Sequence, residues 1–231
     1  MKNILLIGGS KGIGLATAKL LAEDHNVIVV SRSNENLSDL NVKHLEFDVL
    51  EDEIEELDLP EKIDGLAYFP GSINLKPFKM LKPKDFEQEI QLNFISLVKV
   101  VNGLLPKLKN AEHASLVFYS TVAAKVGMPF HTSVAAAKGA IEGFAKSLAA
   151  EYAPSLRVNV IAPSLTDTHL AEKLLNKEEK KKKMAERHPL KRVGTPEDIA
   201  QMTAFLLSEK SSWMTGQILG VDGGLSNLNL S

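Results

Sequence analysis

The sequence predicts an α/β domain: a doubly wound, parallel seven-stranded sheet with helices on both faces. Three observations lead there. Short, β-branched apolar runs alternate with helical patterns along the whole chain. Most of these runs are continuously apolar, as strands covered on both faces are. A glycine-rich turn, "GGSKGIG" at 8–14, follows the first run directly and opens the first helix.

The strand candidates are "NILLIG" (3–8), "NVIVVS" (26–31), "VKHLEFD" (42–48), "GLAYF" (65–69), "ASLVFY" (114–119), "RVNVIA" (157–162) and "GQILGV" (216–221). Helical patterns are clearest at 12–23, 84–108, 133–152 and 196–208. Right-handed crossovers between parallel strands turn such alternation into a doubly wound sheet. No repeat or low-complexity linker divides the 231 residues, so one domain spanning 1–231 is expected.

Residues 165–195 interrupt the rhythm with "LLNKEEKKKKMAERHPLKR". A long helical segment here would lie beyond the carboxyl ends of the strands, where ligands bind in such sheets. A substrate lid is the expectation for it. Its lysines read as a solvated helix face, since Glu178 and Glu179 precede Lys182 and Lys183 by four.

Composition narrows the class. A formal net charge of −2 gives no reason to expect a nucleic-acid or anionic-membrane partner. Without cysteine there is no disulfide, thiolate metal site or cysteine nucleophile. The histidines show no metal-ligand spacing and the acidic residues no divalent-ion cluster. No apolar run approaches the ~18 residues of a membrane span, and no secretory signal precedes the glycine turn. A soluble cytoplasmic protein acting on a small molecule is expected.

The glycine turn is built for a dinucleotide pyrophosphate. Gly8 permits a tight turn, Gly12 lets the backbone approach the phosphates, and Gly14 allows close helix–strand packing. Ser10, Lys11 and Ile13 complete the loop, and the helix N-terminus adds free N–H groups. The second strand ends in Ser31, Arg32 and Ser33, where an NAD site would carry an acidic side chain. A guanidinium suits a 2′-phosphate, so NADP(H) is favoured over NAD(H).

Taken together, these features resemble the short-chain dehydrogenase/reductase family over essentially the whole chain. That family's TGxxxGxG loop corresponds to residues 7–14, with Ile7 for the threonine. Its acidic–apolar pair beside the adenine corresponds to Asp48 and Val49. Its "NNAG" is "YFPG" at 68–71, where Gly71 alone survives. The helix asparagine matches Asn93, and the active-site serine falls at Thr121, with Ser120 next to it. "PG" after the sixth strand is Pro163–Ser164, followed by Thr166 and Thr168. "TPEDIAQMTAFLLSE" and "MTGQILGVDGG" also look like family sequence.

The resemblance implies hydride transfer between nicotinamide and a carbonyl or alcohol carbon. It also implies a tyrosine acid, a lysine four residues later that holds the nicotinamide ribose, a serine on the substrate oxygen and an asparagine supporting a relay water. Homo-oligomers, dimers or tetramers, are implied as well, through residues 85–108 and 133–152.

The lysine is Lys138, in "HTSVAAAKGAIEGF", and four residues before it stands Val134, which cannot donate a proton. Tyr152 lies fourteen residues beyond, about 21 Å along a helix, out of reach. Tyr68 and Tyr119 are expected to pack in the core or border the adenine. His131 precedes Lys138 by seven, two helical turns, a spacing similar to the tyrosine–lysine spacing of enoyl reductases in this superfamily. Its ring would suit proton donation near neutrality, whereas "PFHTS" also reads as a loop before a helix capped by Thr132 or Ser133. Two functions stay open: an NADP(H)-dependent oxidoreductase with an atypical proton donor, acting on a small carbonyl, alcohol or activated alkene, or a catalytically impaired NADP(H)-binding sensor or structural subunit.

Overall fold

A computed structural model describes residues 1–229. Its sheet holds seven parallel strands: β1 (Asn3–Ile7), β2 (Asn26–Ser31), β3 (Lys43–Glu46), β4 (Gly65–Tyr68), β5 (Ala114–Tyr119), β6 (Leu156–Pro163) and β7 (Ile218–Val221). Their order is β3-β2-β1-β4-β5-β6-β7. The chain therefore winds outward from β1 in one direction and then from β4 in the other. A crevice forms outside the carboxyl ends of those two neighbours.

Alternation along each strand feeds two cores. Leu5, Ile7, Ile28, Val30, Leu66 and Tyr68 face one side, with Leu97, Leu104 and Ile141 packed onto them. Ile4, Leu6, Val27, Val29 and Ala67 face the other, against Leu21, Ile199 and Leu206. Helices α1 (Gly12–Leu21), α2 (Pro83–Ile90), α3 (Ser96–Lys109), α4 (Val122–Lys125), α5 (Thr132–Tyr152), α6 (Glu172–Leu175), α7 (Glu178–Glu186) and α8 (Pro196–Leu207) connect the strands.

Several boundaries depart from the sequence reading. The third strand is only Lys43–Glu46, because it is an edge strand pairing with β2 alone. The helix expected over 84–108 is not continuous: a π-helical turn, Gln91–Ile95, separates α2 from α3. Such wide turns commonly mark functional positions, and this one carries Asn93. The segment expected as one long helix over 165–195 is a 3₁₀ turn at His169–Ala171 followed by α6 and α7. Its lysine run is tied down differently from the expected i,i+4 pairs, with Lys181 Nζ 2.6 Å from Asp167.

On β6, Arg157 is nearly buried. Its guanidinium donates to the carbonyls of Leu206 (3.0 Å), Ser208 (3.2 Å), Ser211 (2.9 Å) and Met214 (3.1 Å). These carbonyls belong to the end of α8 and the turn beyond it, where intrahelical partners run out. No helix among the described residues is long and apolar enough to cross a membrane.

Candidate functional site

The glycine turn has a shape that only glycine fits. Gly12 has φ +53, and a Cβ there would meet the Thr168 side chain 3.3 Å away. Gly14 has no room at all, since a Cβ would lie 2.6 Å from the Gly8 carbonyl oxygen. Helix α1 thus starts hard against β1, and Lys11 at its N-cap makes no side-chain capping bond. Free N–H groups at the start of a ten-residue helix point out at the β1–β4 crevice. Ser10 is buried in the turn, and its carbonyl accepts from Asn36 at 3.1 Å. Ile13 packs partly against the second core, and Thr168 spans the loop from the far side.

At the end of β2 the three expected ribose-side residues separate. The Arg32 side chain is 80% exposed, with Asp48 3.7 Å away as a loose partner. Asp48 accepts from the Leu50 N–H at 3.0 Å, and Val49 leans on the core. Ser31, by contrast, is buried, and its hydroxyl donates to the Ser33 carbonyl at 2.9 Å. That alters the expectation for Ser31: its side chain turns inward because it still belongs to the strand.

Lys138 and Val134 share the buried face of α5, at 8% and 6% exposure. Lys138 Nζ donates to the Tyr119 carbonyl at 3.0 Å, which ties α5 to the end of β5. Burial pulls this ammonium down to about 8, against the opposing pull of Glu89. Gly71 lies directly beside it: a Cβ there would stand 3.0 Å from both Lys138 Nζ and Asn93 Oδ1. Asn93 is fully buried, its amide donating to the Glu89 carbonyl (2.9 Å), the Glu89 carboxylate (3.0 Å) and Ser72 Oγ (2.9 Å). Its Oδ1 finds no partner among the described residues.

Thr121 and Ser120 point to opposite sides of the β5 end. Thr121 Oγ1 accepts from the Ala123 N–H at 3.3 Å, which caps α4 and leaves its own O–H proton to donate. Ser120 is buried against α5, where its hydroxyl donates to Glu142 at 2.5 Å. Ser120 is therefore withdrawn as an alternative to Thr121, because consecutive extended residues alternate in direction.

His131 occupies the N-cap position of α5, with neither Thr132 nor Ser133 serving as the cap. Its Nδ1–H donates to the Pro129 carbonyl at 2.7 Å, so the neutral ring presents Nε2 as an acceptor. Its backbone (φ −103, ψ 8) has already left the helix, and no hydrogen bond joins it to Lys138 among the described residues. Ser133 is fully buried, and its hydroxyl finds no partner among the described residues. Tyr68 and Tyr119 are core residues: their phenols bond Ser96 and Thr203, each at 2.6 Å, and burial pushes both well above the ordinary tyrosine value.

After β6, Pro163 ends the strand and Thr166 bonds the Ser164 carbonyl at 3.0 Å. A cavity of about 220 Å³ opens here, lined by Ser164, Thr166, His188, Val221 and Asp222 among others. His188 Nδ1 donates to the Met184 carbonyl at 3.0 Å, so Nε2 accepts the Ser164 hydroxyl at 2.8 Å. This buried imidazole fastens α7 to the end of β6, a role no motif announces. Glu89 was also absent from the sequence reading, although it stands four residues before Asn93 on one helical path and so shares its face. Among the described residues no group of acidic or histidine side chains is arranged to hold a metal.

Comparison with known proteins bears on this arrangement. A family model described as enoyl-(acyl carrier protein) reductase matches residues 8–226. A 3-oxoacyl-[acyl-carrier-protein] reductase of Chlamydia pneumoniae is 33% identical over 242 residues, covering 97% of each chain. Among solved structures, the ligand-free aldohexose dehydrogenase of Thermoplasma acidophilum superposes with a TM-score of 0.90 at 28% identity. The match covers 100% of this chain and 96% of that one. ElxO, solved with NADP bound, gives a TM-score of 0.90 at 26% identity over 99% and 100% of the two chains.

Proposed function

The chain belongs to the short-chain dehydrogenase/reductase family, and from that premise we propose that it is an NADP(H)-dependent oxidoreductase whose proton does not come from position 134. The observation that carries this reading is the buried Lys138 beside Gly71 and Asn93, together with a glycine turn that opens α1. The residues fit a dinucleotide: a tight glycine turn, unclaimed helix N–H groups, and an ammonium with a single protein acceptor among the described residues.

In this reading the first turn of α1 holds the pyrophosphate, and exposed Arg32 takes the 2′-phosphate through paired hydrogen bonds. Asp48 and Val49 border the adenine. Lys138 holds the nicotinamide ribose, with Gly71, Pro163, Thr166 and Thr168 lining the path. Bound there, the nicotinamide supplies or accepts a hydride. Thr121 donates its free O–H to the oxygen of a small carbonyl, alcohol or activated alkene substrate. Residues 165–195 cover the site as a lid, with Thr168 reaching across to Gly12. The remaining proton comes from a group other than a tyrosine at 134; His131 can supply it only as an imidazolium, since the neutral ring commits its Nδ1–H to the Pro129 carbonyl and leaves Nε2 an acceptor.

A second reading rests on Val134 and on the loss of the "NNAG" asparagines at 68–71: an NADP(H)-binding subunit without turnover. The test is in two stages. Fluorescence titration should show NADPH bound more tightly than NADH, and absence of binding rejects both readings. A panel of carbonyls and enones followed by NADPH oxidation then separates them, with turnover supporting the enzyme and its absence throughout supporting the subunit.

A further inference from the structure

Glu89, on α2, is an unusual residue for its surroundings. It is 5% exposed, yet no lysine or arginine lies within ion-pair distance among the described residues. Its carboxylate accepts from the Ser72 hydroxyl in a short bond and from Asn93 Nδ2 at 3.0 Å. Burying a carboxylate without a direct cation is costly, and a glutamine would fill the same volume without that cost. Its hydrogen bonds lead toward the active crevice. Asn93 turns its donors to Glu89 and Ser72, and its unpartnered Oδ1 borders the same small space beside Gly71 as Lys138 Nζ.

We propose that Glu89 is the counter-charge of Lys138, a positioning residue that, across Ser72 and Asn93, keeps the lysine an ammonium inside an otherwise desolvated site. The significance of this for catalysis rests on the function proposed above, in which that ammonium holds the ribose and faces the reacting oxygen. With Val134 in place of a phenol, no acid at that position shares the lysine's charge, and the carboxylate behind Asn93 is what offsets its burial.

The other ionisable groups around Lys138 are engaged elsewhere. Tyr119 offers only its carbonyl, its phenol being bonded to Thr203. Tyr68 is bonded to Ser96 on α3. Glu142, one turn further along α5, accepts from Ser120. His131 is turned to the Pro129 carbonyl. Burial lowers Lys138 and Glu89 is the charge that raises it.

The test follows the lysine itself, with no cofactor present. In protein labelled with ¹³C,¹⁵N-lysine, the Lys138 Cε signal, assigned with Lys138→Met, is titrated in wild type and in Glu89→Gln. The midpoint is expected to fall by about one pH unit in Glu89→Gln, a tenfold loss of ammonium above it. Glu89→Asp, which keeps the charge, should lie nearer wild type. An unchanged midpoint in Glu89→Gln overturns the proposal. Should Glu89→Gln not fold, Glu89→Met is titrated in the same way, and an unchanged Lys138 midpoint there overturns the proposal equally. NADPH titration of the same samples keeps the two conclusions apart, since loss of cofactor binding bears on the proposed function and leaves the lysine titration readable.

Discussion

Val134 stands one helical turn before Lys138 on the same buried face of α5, so an isopropyl group and an ammonium lie side by side on one helix face. Under the proposed function this separates two roles, cofactor holding by the ammonium and proton donation, which an isopropyl group cannot perform.

Restoring a phenol is the direct probe of that separation. Val134→Tyr is expected to raise turnover of a simple carbonyl by ~10²- to 10⁴-fold, the usual worth of a positioned general acid. Steady-state NADPH oxidation measures it. A variant that folds and binds NADPH but shows no gain would mean that the rest of the site is not arranged for this chemistry.

Arg32 is exposed and only loosely paired with Asp48 at 3.7 Å, so its guanidinium can turn to a phosphate at little cost. Arg32→Asp should weaken NADPH binding by about tenfold or more, the worth of hydrogen bonds to a charged group, and leave NADH binding equal or improved. Equal losses for both cofactors would remove Arg32 from cofactor selection.

Lys138 makes both binding and stability depend on pH. If its ammonium holds the ribose, NADPH affinity should decline as pH rises through about 8, and Lys138→Met should abolish that dependence. Stability runs the other way. The folded value lies below the ordinary 10.5, so between about 8 and 10.5 the unfolded chain binds the proton more strongly. Wild type should therefore gain stability relative to Lys138→Met across that window. Denaturant unfolding at pH 7, 9 and 10.5 checks the sign, and a constant difference would show that burial does not perturb this lysine.

Arg157 supports the opposite end of the sheet. Its replacement by methionine removes a charged donor from four carbonyls at the α8 terminus and beyond, each of which keeps a neutral donor such as the Met214 N–H on Ser211 or Asn159 on Met214. Hydrogen bonds to a charged group are worth about 1.5–3 kcal/mol, so a loss of about 3 kcal/mol or more is expected in urea unfolding. NADPH affinity in the folded variant should be unchanged, because Arg157 lies away from the carboxyl ends of the strands.

The sequence by itself determined the sheet, the glycine loop and the spacing of Val134 and Lys138. Those features are local: apolar runs such as "NILLI" and "ASLVFY" specify buried parallel strands, and the spacing from Val134 to Lys138 is a property of any helix. The tertiary structure decided what those residues touch. Ser31 and Ser120 look available in the chain but spend their hydroxyls on Ser33 and Glu142, because strand alternation turns them inward. His131 falls just outside the helix that would have aligned it with Lys138. Asn93 sits in a π-helical turn that 3.6-residue periodicity does not predict. Glu89 acquires a role only when α2, the loop after β4 and α5 converge, since a charge four residues before an asparagine reads in one dimension as a solvated helix face. Contacts between elements distant in sequence set burial, and burial sets which charges matter.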